Sequence, residues 1–181
     1  METNGKSTQL DLNDLTYRLK SADKRYACMS KRFQYLYWAL VPIYLVLIIS
    51  DVIVKRSLLE IGSGLCFLMG MTLFALIFRS YYKEYNFVDY TLSTLIMLKK
   101  AARRYYPFHH KLWLVFLGLL CIDAGLALRE SLGYETVRFQ VIFFVAILVA
   151  FVVGMILWRV RYKPLRDEAL RLIREIEEEG A

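Results

Sequence analysis

The sequence predicts an all-α integral membrane protein: a four-transmembrane-helix bundle built from two tandem repeats of an amphipathic helix and a transmembrane hairpin, with helical extensions on the cytoplasmic side. Three observations predict it. The chain is 57% apolar with a mean hydropathy of +0.38, and its apolar residues gather into long runs almost free of charge. Lysine and arginine are distributed very unequally around those runs. Two segments near 80 residues apart also resemble each other.

The first 33 residues are polar and lack the apolar stretch of a cleavable signal, so the first hydrophobic run is expected to be retained as a span. Within them Leu12, Leu15, Leu19, Ala22, Tyr26, Met29 and Phe33 recur at alternating steps of three and four, the seam of a cytoplasmic amphipathic helix. Residues 34–78 form the first hairpin, with spans from Gln34 to Val54 and from Leu58 to Phe78. A hydrocarbon core of about 30 Å needs roughly 20 residues of helix, which satisfies its own backbone groups in lipid. Residues 79–111 form a cytoplasmic loop that turns helical from about Asp89, with Leu95, Leu98, Ala102 and Tyr105 apolar and Pro107 ending the helix. Residues 112–158 form the second hairpin, with spans from Leu112 to Leu128 and from Phe139 to Trp158. In the tail, 159–181, Pro164 suits a helix start, and Leu165, Ala169, Leu172, Ile173 and Ile176 share one face.

Orientation follows from charge. Of the 24 lysines and arginines, 20 lie in the N-terminal segment, the central loop and the tail; only Lys55, Arg56, Arg129 and Arg138 lie in the two short connections. That bias places the long segments and both termini in the cytoplasm, as expected of a multi-pass protein of the plasma (inner) membrane. Tyr35, Tyr37, Trp38, Trp113, Trp158 and Tyr162 mark the headgroup level at the same side. The net charge of +7 then reflects anionic headgroups at the cytoplasmic face, and no nucleic-acid partner is expected.

Leu19 to Tyr26 aligns with Leu98 to Tyr105, five of the eight positions being identical. Arg79, Tyr82 and Lys83 align with Arg159, Tyr162 and Lys163. Both copies begin in the cytoplasm, so the repeats would be parallel. Small residues recur at intervals of four in the second span (Gly62, Cys66, Gly70) and the fourth (Ala146, Ala150, Gly154), where helix backbones can approach closely. Bundle packing is the reading preferred for these rows, and a homodimer seam is the alternative. Pro42 is expected to kink the first span.

No catalytic, metal-binding or cofactor-binding motif stands out. Cys28, Cys66 and Cys121 are too scattered for a disulfide framework or a zinc site. His109 and His110, adjacent on one helix, point about 100° apart and make poor ligands for one metal. Ionisable groups within spans are functional candidates by default, which singles out Asp51, Glu60 and Asp123. Asp51 and Glu60 lie near the outer interface, within reach of Lys55 and Arg56. Asp123 lies deeper and is expected to hydrogen-bond another helix at Tyr44 or Ser63. The run Asp51-Val52-Ile53-Val54-Lys55 resembles the lipoprotein signal peptidases, small four-span enzymes. Those enzymes draw their catalytic pair from the third and fourth spans, and the fourth span here holds no carboxylate.

The function expected is therefore non-enzymatic: a regulatory or assembly component that binds a protein partner, or a second copy of itself, through its cytoplasmic helices. Leu12, Leu15, Leu19, Leu165, Leu172 and Ile176 are the interaction-face candidates, and the simplest outcome expected for the three cytoplasmic helices is that they pack on one another as a small bundle. A small proton-coupled transporter or channel using Asp123 is the second reading, and an intramembrane aspartyl hydrolase the third.

Overall fold

The computed structural model describes residues 3–90, 93–106, 111–129, 133 and 135–179. Its elements are α1 (Thr3–Ile53), α2 (Leu58–Asn86), α3 (Thr94–Arg104), α4 (Lys111–Ala127), α5 (Glu135–Leu157), a π-helical turn (Trp158–Tyr162) and α6 (Lys163–Glu179). No strand occurs among the described residues. Pro107, His109 and His110 lie outside them.

Among the described residues three helices are long and apolar enough to cross a membrane: α1, α2, and the continuous arm formed by α5, the π turn and α6. The third apolar run is helical as α4, but its 17 residues rise only about 25 Å at 1.5 Å per residue, short of a hydrocarbon core of about 30 Å.

The amphipathic N-terminal stretch and the first apolar run form one helix of 51 residues that passes through Pro42 without interruption. Its turn into α2 is set by two residues. Lys55 takes the left-handed conformation, φ 53°. Ser57 caps α2, its hydroxyl oxygen accepting from the Glu60 amide at 3.3 Å, in the Ser-x-x-Glu arrangement that suits a helix start.

α2 lies between α1 and α4, and small residues set the α2–α4 spacing. A Cβ on Gly70 would meet Ile122 at 2.9 Å and the Gly118 carbonyl oxygen at 3.2 Å. Gly118 and Gly125 leave room for the rings of Phe74 and Phe67, both about 3.1 Å from a would-be Cβ. Ser63, fully buried, donates to the Gly125 carbonyl at 2.7 Å. The Gly62–Cys66–Gly70 row is thus a packing face. The matching row on α5 is not: nothing lies within 4 Å of a Cβ on Gly154, and no α5 residue is buried.

The main core lies at the end of the bundle that carries α3 and α6, called basal here. Leu15 and Leu19 of α1, Leu98 and Ala101 of α3, and Leu165, Ala169 and Leu172 of α6 are buried together. Complete burial of one leucine stabilises by roughly 1.5–3 kcal/mol, so this cluster is enough to hold α6 down. Exposed ion pairs border it, Lys99–Glu177 at 2.8 Å and Arg18–Glu168 at 3.1 Å.

Pro164 does not start a new helix. Lys163 N–H donates to the Trp158 carbonyl, five residues back, and the helix continues through Pro164 to Glu179. Proline lacks the N–H that would close an α-turn on Val160, and the wider π turn just before it absorbs the interruption.

Candidate functional site

Where the basal core meets the apolar helices, one buried carboxylate organises the surroundings. Asp23 of α1 is 2% exposed. Its Oδ2 accepts from Arg104 Nη1 and from the Tyr90 hydroxyl, each at 2.5 Å, and its Oδ1 accepts from the Tyr105 hydroxyl at 2.5 Å. Charge on Asp23 is thereby met by one cation and two neutral donors, as a buried ion requires. Burial raises the Tyr105 phenol above its ordinary range, and the Asp23 charge and hydrogen bond add to the rise; burial and its own hydrogen bond to Asp23 raise Tyr90. Both phenols therefore remain donors at neutral pH.

Around this cluster stand further aromatic rings. Tyr26 packs on Tyr85 with ring centroids 4.3 Å apart and lies edge-on to Tyr162 at 6.0 Å. Tyr105 stacks on Tyr162 at 5.6 Å. The Trp158 indole N–H donates to the Tyr105 carbonyl at 2.9 Å, tying the π turn to the end of α3. Lys111 pairs with Glu84 and sits 4.9 Å over the Tyr81 ring.

The rings of Tyr26, Tyr81, Tyr85, Tyr105 and Tyr162, with Arg104 and Glu84, line one side of a cavity of about 490 Å³, within the range of about 300–1,000 Å³ typical of small-molecule sites. The other side is the apolar surface of α5 at Ala150, Phe151, Gly154, Met155 and Leu157, with Arg161 of the π turn at its rim. The cavity exists because α5 stands apart from the bundle while Trp158 and α6 hold its lower end close. Its chemistry is divided: phenols and charge on the basal side, hydrocarbon along α5. Non-covalent binding of an amphiphile is what such a surface does best.

None of the carboxylates singled out from the sequence lines this cavity. Asp51 pairs with Arg56 at 3.3 Å. Glu60 is 6% exposed and faces Arg129 across the two hairpins at 4.0 Å. The expected bond from Asp123 to Tyr44 or Ser63 is not made. Ser63 spends its hydroxyl on Gly125, where the absent side chain lets α2 approach the α4 backbone, and the Tyr44 ring packs on Phe67 at 5.5 Å. Asp123 Oδ1 is buried without a hydrogen-bond partner among the described residues. Leu15, Leu19, Leu165 and Leu172 are buried in the basal core, with Leu12 and Ile176 half-buried at its margin.

Sequence reasoning missed Asp23, Tyr90, Arg104 and the cavity. One signal was present: the repeat aligned Tyr26 with Tyr105 and Tyr82 with Tyr162, and Tyr26, Tyr105 and Tyr162 all line the cavity. Among the described residues no group of three or more His, Cys, Asp or Glu is placed to hold a metal ion. The sequence matches no protein-family model, and no curated protein or solved structure is significantly similar to it.

Proposed function

We propose that this chain is a four-span, multi-pass protein of the plasma (inner) membrane with both termini in the cytoplasm, acting as a non-enzymatic regulatory or assembly component for a protein partner. Orientation rests on the excess of 20 basic residues over 4. α4 is taken as the third span, its 17 residues standing at the short end of the roughly 17–25 that cross a bilayer. Duplication is supported by the aligned pair Leu19 and Leu98, both buried in the one basal core, and by the aligned tyrosines of the cavity.

The observation that carries the regulatory reading is the basal platform itself. α1, α3 and α6 bury their leucines against one another, and the ionisable Asp23 and Arg104 are consumed in joining α1 to α3. The leucine faces that the sequence offers as interaction-face candidates lie in this platform or at its margin. A partner meets its outer surface, where Lys20, Lys24, Lys100 and Arg103 are exposed. Because α6 continues α5 without a break, whatever binds the platform also acts on a membrane helix.

The test is capture of the tagged full-length protein from membranes in mild detergent, beside a Leu172→Asp variant that undocks α6. A stoichiometric protein companion present with the native chain and lost with the variant is the expected result. The second reading, a proton-coupled transporter, is favoured by the unpartnered Oδ1 of Asp123. A proton or solute flux in reconstituted vesicles, abolished by Asp123→Asn, would replace the first reading with the second.

A further inference from the structure

We propose that the tyrosine-lined cavity is a binding site for one anionic phospholipid of the basal-side leaflet, with the phosphate at Arg161 and the upper acyl chain along Ala150 and Gly154 of α5. The inference concerns a lipid ligand and holds whichever protein the platform engages.

Three observations converge on this ligand. The first is the division of the walls. A soluble anion would find half the cavity made of hydrocarbon, and a simple hydrocarbon would find the other half made of phenols and charge. A molecule with a charged head and an apolar tail fits both halves.

The second is unsatisfied donor capacity at the basal end. Arg104 is committed to Asp23 and Lys111 to Glu84. No carboxylate pairs with Arg161 among the described residues. The hydroxyls of Tyr26, Tyr81 and Tyr162 make no hydrogen bond among them either, although all four residues line the cavity. One guanidinium and three phenolic donors suit the several oxygens of a phosphate diester.

The third is the room along α5. A Cβ on Gly154 would meet nothing within 4 Å, and Ala150 one turn above is exposed. Trp158 marks the headgroup level beside them. A chain lying over Ala150 and Gly154 therefore continues from the cavity directly into the hydrocarbon layer. Arg161 and Tyr162, which line this opening, both belong to the π turn at Trp158–Tyr162, a local irregularity of the kind found often at functional sites.

The experiment uses full-length protein in nanodiscs with Trp38→Phe and Trp113→Phe, so that Trp158 is the one indole. Phosphatidylglycerol with brominated chains is compared with phosphatidylcholine brominated identically, and quenching of Trp158 is read as mole fraction rises. Saturable quenching is expected, with about a fivefold preference for the anionic lipid, the size expected for one arginine beside an anionic headgroup. Arg161→Gln removes the preference, Arg161→Lys keeps most of it, and exposed Lys24→Gln changes nothing. Gly154→Leu, which the fold accommodates, weakens quenching by both lipids several-fold at unchanged helicity.

An undiminished preference in Arg161→Gln overturns the proposal. So does unchanged quenching in Gly154→Leu. Full displacement by millimolar glycerol phosphate would mean that the site reads a soluble phosphate ester and not a lipid. Disulfide-linked dimers from Gly154→Cys, with no saturable lipid quenching, would assign this face to a second copy of the chain.

Discussion

Arg104 and Asp23 form a buried ion pair across 81 positions of sequence, Nη1 to Oδ2 at 2.5 Å, with side chains only 8% and 3% exposed. The pair fixes the end of α3 to α1 between Leu19 and Ala27, both buried in the basal core. Removing one member of such a pair strands the other. Asp23→Ala leaves Arg104 and two phenols without their acceptor and should cost about 3–5 kcal/mol. Replacing both members with apolar residues, Asp23→Leu with Arg104→Met, should cost clearly less than the sum of the single changes. A double-mutant cycle by chemical denaturation in detergent checks this; additive losses would mean that the pair does not couple α1 to α3.

The phenols around Asp23 make stability fall at high pH. Tyr90 and Tyr105 are raised above the ordinary value near 10, so they stay protonated in the folded state while the unfolded chain begins to release those protons. Above about pH 10 the unfolded state binds fewer protons, and folding stability declines as pH rises. Below it both states are protonated and the contribution is fully present. Tyrosinate absorbance at about pH 11 should be smaller for the folded than for the unfolded protein, and Tyr105→Phe should narrow that gap.

Docking of α6 should depend on its apolar face far more than on its charges. Leu172 is 1% exposed, whereas Lys99 and Glu177 are both about half exposed, and exposed pairs contribute only about 0–1 kcal/mol. Leu172→Asp should release residues 165–176 to rapid amide exchange. Neutralising Glu175, Glu177, Glu178 and Glu179 together should leave them protected. Loss of protection in the neutralised variant alone would reverse the ranking.

How far the sequence was legible depended on how local each cause was. The basal core was legible because its signal is periodic: Leu15, Leu19, Leu98, Leu165 and Leu172 repeat at helical steps on their own elements. The apolar runs were legible from composition over a single window. The Asp23 cluster was not, because its donors are Tyr90, Arg104 and Tyr105, which lie 67 to 82 residues away. Nothing local marks an aspartate whose partners arrive only with the tertiary fold. Pro164 misled for the opposite reason. Its local rule is sound, but a π turn just ahead of it supplied the relief that a helix break would otherwise have given.

The glycines give the sharpest contrast between residues that look alike in sequence. Gly70 and Gly154 each end a row of small residues at intervals of four. A Cβ at Gly70 meets Ile122 at 2.9 Å and the Gly118 carbonyl oxygen at 3.2 Å, and the second of these is backbone and cannot step aside. At Gly154 there is open space. Without a hydrophobic drive between helices in lipid, close backbone approach is a main source of their attraction, so pushing α2 from α4 also loosens the Ser63–Gly125 hydrogen bond. Gly70→Val should therefore destabilise the protein by about 1–3 kcal/mol, the usual cost of overpacking, whereas Gly154→Val should change stability by less than about 0.5 kcal/mol. Denaturant titration in detergent micelles measures both, and equal losses in the two variants would show that α5 packs as tightly as α2 does.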